Sequence, residues 1–420
     1  MTTYPEVLAR LFAARRAGIV FGLERIAGVL AGLGHPERAL GTVVHLGGTN
    51  GKGSTAAMVA AVAQAAGARV GLYTSPHLAS LRERFTIDGA VVDEAAVVDA
   101  YQRVAAAGGL ALTFFEQVTA LGLVVLAERQ PDVTVLEVGL GGRLDATTAV
   151  PAPIAAVTGV GLDHQEFLGT TVAAIAVEKA GIWKPGQRAV IGAAGDPTAV
   201  PILAAAAQRV GVASLRVVDA AAVEAAPQPR LAGAHQRVNA ACAEAILDEL
   251  AGAAGLTISA AARAAGYAAA THPGRLEQVA AGPAVILDGA HNPDGAAALA
   301  AAVAARPERP KLLVLAVSRD KEVDAMIAPL ARVVDAVIAT RYDQPRAMAP
   351  GDLAARVRVA GALVEVADSL AEAIARAQAA VGMGGLVVVA GSLFAVGEVR
   401  PSFVPMAVDP LVVTDPSVRG

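Results

Sequence analysis

Cysteine is nearly absent: the 420-residue chain carries one, Cys242. A lone thiol excludes an intramolecular disulfide framework and fits a reducing, cytoplasmic setting. Aromatic residues make up 3% of the chain and charged residues 17%, against 55% hydrophobic residues, many of them alanines in helix-like runs. This balance excludes disorder. The longest apolar window, 108–127, contains Glu116 and Gln117, so no membrane span is expected. Residues 1–16 have scattered charges and no apolar core, so no secretory leader is expected either. A net charge of -4 provides no basic footprint for nucleic acid.

Lysine is scarce too. Of 34 Lys plus Arg residues, only Lys52, Lys179, Lys184, Lys311 and Lys321 are lysine. A chain so biased uses arginine wherever a generic surface cation suffices. Its few lysines are enriched for tasks arginine does poorly, such as a compact charge on phosphate or a titratable amine open to covalent modification. Lys311 is read as a chance survivor.

The length suggests two or three domains, at roughly 150 residues each. From Thr42 onward, the apolar runs TVVHL, RVGLYTS, VTVLEVG, IAAVTGV and RAVIG alternate with helical stretches at about 54–66, 171–183, 234–252 and 258–270. Continuous apolar runs of this kind suit buried parallel strands. THPGRLEQV (271–279) then breaks the pattern with a Pro-Gly turn. Five further runs follow: AVILDGA, KLLVLAVS, AVIATR, ALVEVAD and GLVVVAG. The expectation is an α/β chain in two parts. Residues 1–273 form a P-loop domain with a mostly parallel sheet flanked by helices. Residues 274–420 form a smaller Rossmann-like α/β domain, with an exposed tail from about 401. No repeat occurs at solenoid periods.

The stretch HLGGTNGKGST (45–55) nearly fits a Walker A loop, with Leu46 where the leading glycine belongs and Gly53 where a metal-binding hydroxyl belongs. A strand feeding a glycine turn that opens a helix aims backbone N–H groups and the helix dipole at an anion. Lys52 adds a charge for the terminal phosphates. No Asn-Lys-x-Asp signature is present, so ATP is favoured over GTP. In VLEVGLGGRLDAT (135–147), Glu137 stands at the end of a buried strand, the usual place of a metal-side acid. In GLDHQEFLG, His164 follows another strand, on the edge where parallel-sheet sites lie. Lys179, in an apolar helix, is an amine that burial would drive toward neutrality, and a neutral amine can form a carbamate with carbon dioxide. The simpler alternative is a snorkelling helix lysine paired with Glu178 or a neighbour. Downstream, LDGAHNP, SRDKE and AGSLF each follow an apolar strand, so these loops should gather at one sheet edge. Asp288 and Asn292 are equally compatible with simple turn capping.

Together GTNGKGS, YTSPHL, FFE, EVGLGGRLDAT, GLDH, EKAGI, DGAHNP and the Asp-Lys turn, in this order from about 45 to 394, resemble the folylpolyglutamate synthase/dihydrofolate synthase family, the folate branch of the Mur ligases. The resemblance implies an ATP-dependent amide ligase that works through an acyl phosphate and adds L-glutamate to dihydropteroate, tetrahydrofolate or both. It implies that Asn50, Gly51, Lys52, Gly53, Ser54, Asn239, Arg275 and Asp288 hold ATP. It implies two Mg2+ ions on Ser75, Glu137, His164 and a carbamylated Lys179. Phe114, Phe115, Glu116, Gln117, Leu144, Asp145 and Ala146 would line the pterin site, while His291 and Ser392 would serve the glutamate side. Lys52, Lys179, His164, Asp288 and His291 would be the catalytic set. No extra dimerisation element is visible, so a monomer is expected.

Two other readings compete. A peptidoglycan-precursor ligase of the same superfamily needs a domain before the P-loop, and the roughly 40 residues there fall short of the usual minimum of about 50. A non-catalytic P-loop switch accounts for the loop but leaves Glu137, His164 and Lys179 without a shared purpose.

Overall fold

In a computed structural model, residues 2–14, 18, 20 and 22–409 are described. The first sheet has eight strands: β1 (Thr42–Gly47), β2 (Val70–Tyr73), β3 (Phe85–Ile87), β4 (Ala90–Val91), β5 (Val133–Glu137), β6 (Ile154–Val160), β7 (Arg188–Gly195) and β8 (Ser214–Val217). Their order is β4-β3-β2-β5-β1-β6-β7-β8. All pairs are parallel except β2 with β3 and β3 with β4. The apolar runs of β1, β5 and β6 are buried along their lengths, as strands covered on both faces must be. From β1 the chain turns toward β2, and from β6 it turns the other way to β7. The C-terminal ends of β1 and β6 therefore flank a topological switch point, where crevices form in such sheets.

The second sheet contains β9 (Glu277–Ala281), β10 (Ala284–Leu287), β11 (Lys311–Leu315), β12 (Ala336–Ala339), β13 (Val364–Val366) and β14 (Leu386–Ala390), in the order β13-β12-β11-β14-β10-β9. It is parallel except where β9 pairs with β10. The architecture is thus mixed α/β with two mostly parallel sheets, as the alternation of runs implies. The sequence reading misses β9, taking its residues for a helix-breaking turn, and also misses the β3–β4 hairpin and β8. These are edge elements. They are short or half-exposed, so no continuous apolar run marks them.

Alanine and glycine content has a packing consequence. The helix Lys52–Ala65 is buried along most of its length against helices His235–Ala254 and Ala260–Ala269. Its backbone lies so close to the latter that a Cβ on Gly266 would stand 2.4 Å from Val62 Cα. Such separations need small side chains on both helices. No helix among the described residues is long and apolar enough to cross a membrane.

The expectation of an exposed tail from about 401 needs correction at one residue, since 401–408 are intermediate or exposed. Asp409 is buried, and its carboxylate accepts hydrogen bonds from Tyr4 Oη (3.0 Å), Ser80 Oγ (2.9 Å) and Leu81 N (2.7 Å). Nothing in the proline-containing sequence signals this, because the donors come from the first helix and from the loop after β2. The remainder of the expected tail, 410–420, lies outside the described residues.

Candidate active site

A cavity of about 960 Å³ lies between the two sheets, lined by the loops after β1, β5, β6, β10, β11 and β14. The loop after β1 is held from below. Thr158 Oγ1 donates to Asn50 O at 2.7 Å, and Thr49 N donates to Gly159 O at 2.9 Å. Gly51 has φ +84°, and a Cβ there would stand 2.2 Å from Asn239 Oδ1, so both backbone and space require glycine. The helix that follows has no side-chain cap, whereas Thr113, Asn292 and Ser392 cap the starts of theirs. Its first N–H groups are left for an incoming anion. Lys52 Nζ folds back onto Gly48 O (3.1 Å) and Thr49 O (3.2 Å). Ser54 lies on the buried side of the helix, where Gln236 Nε2 donates to its hydroxyl at 3.3 Å and His272 Nδ1 is 3.1 Å away.

The metal-side residues partly converge. Glu137 Oε2 accepts from Ser75 N at 2.9 Å, which joins the end of β5 to the loop after β2. Burial raises the Glu137 pKa, while Lys52, the Ser75 N–H, Arg275 and Arg84 oppose the rise. Lys179 is 4% exposed, and its Nζ donates to Gly48 O at 2.8 Å. Burial, reinforced by the Lys52 charge, pulls its pKa down to about 7, with Asp163 and Asp145 resisting. The alternative pairing with Glu178 is not found, because Glu178 binds Arg143 at 2.9 Å. Among the described residues no three of His, Cys, Asp and Glu form a metal cage. Mg2+ is commonly held by one or two carboxylates together with substrate phosphates and water, so Glu137 and Ser75 beside an open phosphate loop fit that ion.

From the second sheet, Asp288 is buried, with its oxygens accepting from Leu276 N and Ala290 N, both at 2.8 Å. The carboxylate thus fastens the Arg275 turn to the turn after β10, and a Cβ on Gly289 would stand 3.2 Å from Arg275 Nη1. His291 Nδ1 lies 2.8 Å from Gly289 O, and Ser392 Oγ accepts from Phe394 N at 3.1 Å. These four residues and Asn239 all line the cavity.

Sequence reasoning missed a hub. Asp163, beside His164 in GLDH, accepts from Lys321 Nζ at 2.8 Å and Asn292 Nδ2 at 3.3 Å, and lies 3.5 Å from His291 Nε2. His164 Nε2 is 3.8 Å away. Burial works against ionisation, but the His291 hydrogen bond and the His164, His291 and Lys321 charges hold the carboxyl well below the usual range. Asn292 Nδ2 also donates to Asn50 Oδ1 at 3.0 Å. The available signal was Lys321, one of five lysines in the chain. Lys311 turns out to be structural: it is buried, with Nζ donating to Val303 O at 2.5 Å.

The segments assigned to a pterin lie beside this cavity, not in its lining. Phe115 packs on Gly139, where a Cβ would stand 2.3 Å from its ring. Phe114 and Ala146 are core residues, Glu116 pairs with Arg25 at 2.8 Å, and Gln117 Nε2 donates to Leu112 O at 2.8 Å. Asp145 binds its own loop, accepting from Gly139 N (3.0 Å), Leu140 N (2.9 Å) and Thr147 Oγ1 (2.6 Å). Of the seven, only Phe115 and Leu144 keep intermediate exposure.

Comparison with known proteins gives this arrangement a family. Residues 274–393 match the Mur ligase, glutamate ligase domain model. The chain is 36% identical over 396 residues to a dihydrofolate synthase/folylpolyglutamate synthase of Mycobacterium tuberculosis, covering 84% of this chain and 81% of the relative. It is 39% identical over 423 residues to a probable bifunctional folylpolyglutamate synthase/dihydropteroate synthase of Halobacterium salinarum. That match covers 94% of this chain, which spans 51% of the halobacterial relative's length. The structure of E. coli FolC in complex with DHPP and ADP superposes with a TM-score of 0.85 at 34% identity, covering 96% of this chain and 97% of that one. On sequence, fold and coverage, the chain belongs to the folylpolyglutamate synthase/dihydrofolate synthase family.

Proposed function

We propose that this chain is an ATP-dependent ligase that joins L-glutamate to a pterin carboxylate, taking dihydropteroate, tetrahydrofolate or both. The observation that carries the reading is the convergence on one cavity of an uncapped helix N-terminus, the Ser75–Glu137 pair and the polar loops of the glutamate-ligase half. Phosphoryl transfer between oxyanions is mainly a problem of positioning and charge neutralisation. The N–H groups after Gly51, together with Lys52, would cradle the phosphates of ATP, with Arg275 and Asn239 beside them. Mg2+, held by Glu137 and Ser75 with His164 as a further ligand, would supply charge neutralisation at the transferred phosphoryl group. The second expected ion is assigned to a carbamate on Lys179. An amine with a pKa near 7 is largely neutral at slightly alkaline pH and can take up carbon dioxide with loss of a proton.

The pterin acceptor is assigned to the Phe115–Gly139 wall and Leu144, with Asp145 acting as the lock that shapes this loop. Glutamate is assigned to the His291 and Ser392 side. The Asp163 contacts to Lys321 and Asn292 would hold the halves together and keep water from a reactive acyl phosphate. The functional division at 273/274, a monomeric state and a cytoplasmic location complete the reading. In the test, ADP release is measured with dihydropteroate or tetrahydrofolate, each with and without glutamate, and with and without bicarbonate. Turnover should require a pterin and glutamate together, and Lys179→Ala should abolish any bicarbonate stimulation. ADP release indifferent to glutamate would refute the ligase reading, while full activity of Lys179→Ala would refute only the carbamate.

A further inference from the structure

The family reading leaves one residue at the phosphate loop without a role. His272 stands before the Pro273-Gly274 turn, and its ring occupies the space that a side chain at position 53 would take. A Cβ on Gly53 would lie 2.5 Å from His272 Cε1, 2.8 Å from Nε2 and 3.5 Å from Glu137 Oε1. In the usual P-loop this is the place of the serine or threonine hydroxyl that faces the metal and the terminal phosphates. Gly53 and His272 are thus two halves of one feature, because the glycine makes room for the imidazole.

The hydrogen bonds behind the ring orient its proton. Asn239 Nδ2 donates to Gln236 Oε1 at 3.0 Å, which turns Gln236 Nε2 toward Ser54 Oγ at 3.3 Å. With the Gln236 amide donating to it, the Ser54 hydroxyl has its own proton available for His272 Nδ1, 3.1 Å away. Burial, aided by the Arg275 charge, draws the imidazole pKa down to about 3, so the ring is neutral and carries one N–H. With Nδ1 accepting, that N–H is on Nε2, beside Gly53. The ring also lines the cavity and keeps intermediate exposure.

We propose that His272 is a phosphate-binding residue that replaces the missing loop hydroxyl, its Nε2–H donating to a terminal phosphate oxygen of the bound nucleoside triphosphate. The proposal rests on the ATP-ligase reading above and adds to it a donor from outside the loop. Hydrogen bonds to charged groups are typically strong enough that losing one costs about tenfold in affinity or more.

The test uses the full chain and titration calorimetry with ADP and with a non-hydrolysable ATP analogue, both with Mg2+. His272→Phe keeps the volume but has no donor, whereas His272→Gln can place an amide N–H near the Nε2 position. His272→Phe should bind the analogue about tenfold more weakly while ADP binding stays close to wild type, and His272→Gln should recover most of the loss. Equal weakening toward both nucleotides, or no weakening, overturns the proposal. Nitrogen NMR of the wild-type imidazole provides a check independent of whether the variants fold. Protonation at Nε2, with a shift of that nitrogen on adding the analogue, supports the assignment. Protonation at Nδ1 would leave Nε2 as a lone pair suited to metal and overturns it. Wild-type protein that binds neither nucleotide would refute the parent reading as well, a result distinct from those above.

Discussion

His45 shows how a single side chain can tie stability to pH. It is 1% exposed, and its Nε2 lies 2.8 Å from Thr147 Oγ1, which in turn donates to Asp145 at 2.6 Å. Because that hydroxyl donates to the carboxylate, it accepts from His45, which places a ring proton on Nε2. Burial, with a contribution from the Lys184 charge, pulls its pKa from 6.5 to about 3. Between these two values the unfolded chain binds a proton that the folded chain refuses. Stability therefore falls as the pH drops through this window, by about 1.4 kcal/mol per pH unit for this group. His45→Asn should flatten that slope, as urea melts at successive pH values would reveal, and an unchanged slope would mean that other buried groups dominate. The sequence places His45 only as part of a strand. Its partners lie about 100 positions away, and no local pattern announces them.

At the level of elements, the loop after β1 was the most legible part of the chain because its chemistry is local. Gly51, Lys52 and the start of the helix follow from adjacent residues and standard backbone rules. The reasons for the glycines were not legible, since Asn239 arrives from a helix and His272 from a loop, both far along the chain. Gly51, in this loop, and Gly67, just past the helix that follows it, differ in a way that can be measured. Gly51 and Gly67 both have positive φ, but a Cβ at 51 meets Asn239 at 2.2 Å, whereas a Cβ at 67 has open space beyond its chain neighbours. Gly67→Ala should cost about 1 kcal/mol for the backbone alone. Gly51→Ala should cost about 3 kcal/mol or more, because it adds a collision to that strain. Denaturant midpoints of the two variants would settle the ranking, and equal losses would show that the Asn239 side chain yields freely. The hairpin and edge strands β3, β4, β8 and β9 were illegible for the opposite reason, since their half-exposed residues look like turns until the sheet beside them is known.

Across the whole molecule, the contact between the two sheets depends on few polar links. Asp163 supplies three of them among the described residues, to Lys321, Asn292 and His291, and the Asn292–Asn50 bond supplies another. Removing the carboxylate charge leaves the half-buried Lys321 ammonium without its partner. Asp163→Asn should therefore favour an open arrangement, read as an increased radius of gyration in solution scattering without nucleotide. An unchanged radius would assign closure to apolar contacts. Sequence motifs identified the loops that meet here, because each follows an apolar strand, but not which residues would face one another, since that depends on how the sheets are set. The same holds for Asp409, which bonds at once to the first helix through Tyr4 and, through Ser80 and Leu81, to the loop that carries Ser75. Asp409 is thus a fastening shared between the first helix and a loop that reaches the cavity. A tether attached at residue 409 would pull directly on that loop, and tension there would be felt at Ser75, the residue proposed to hold magnesium.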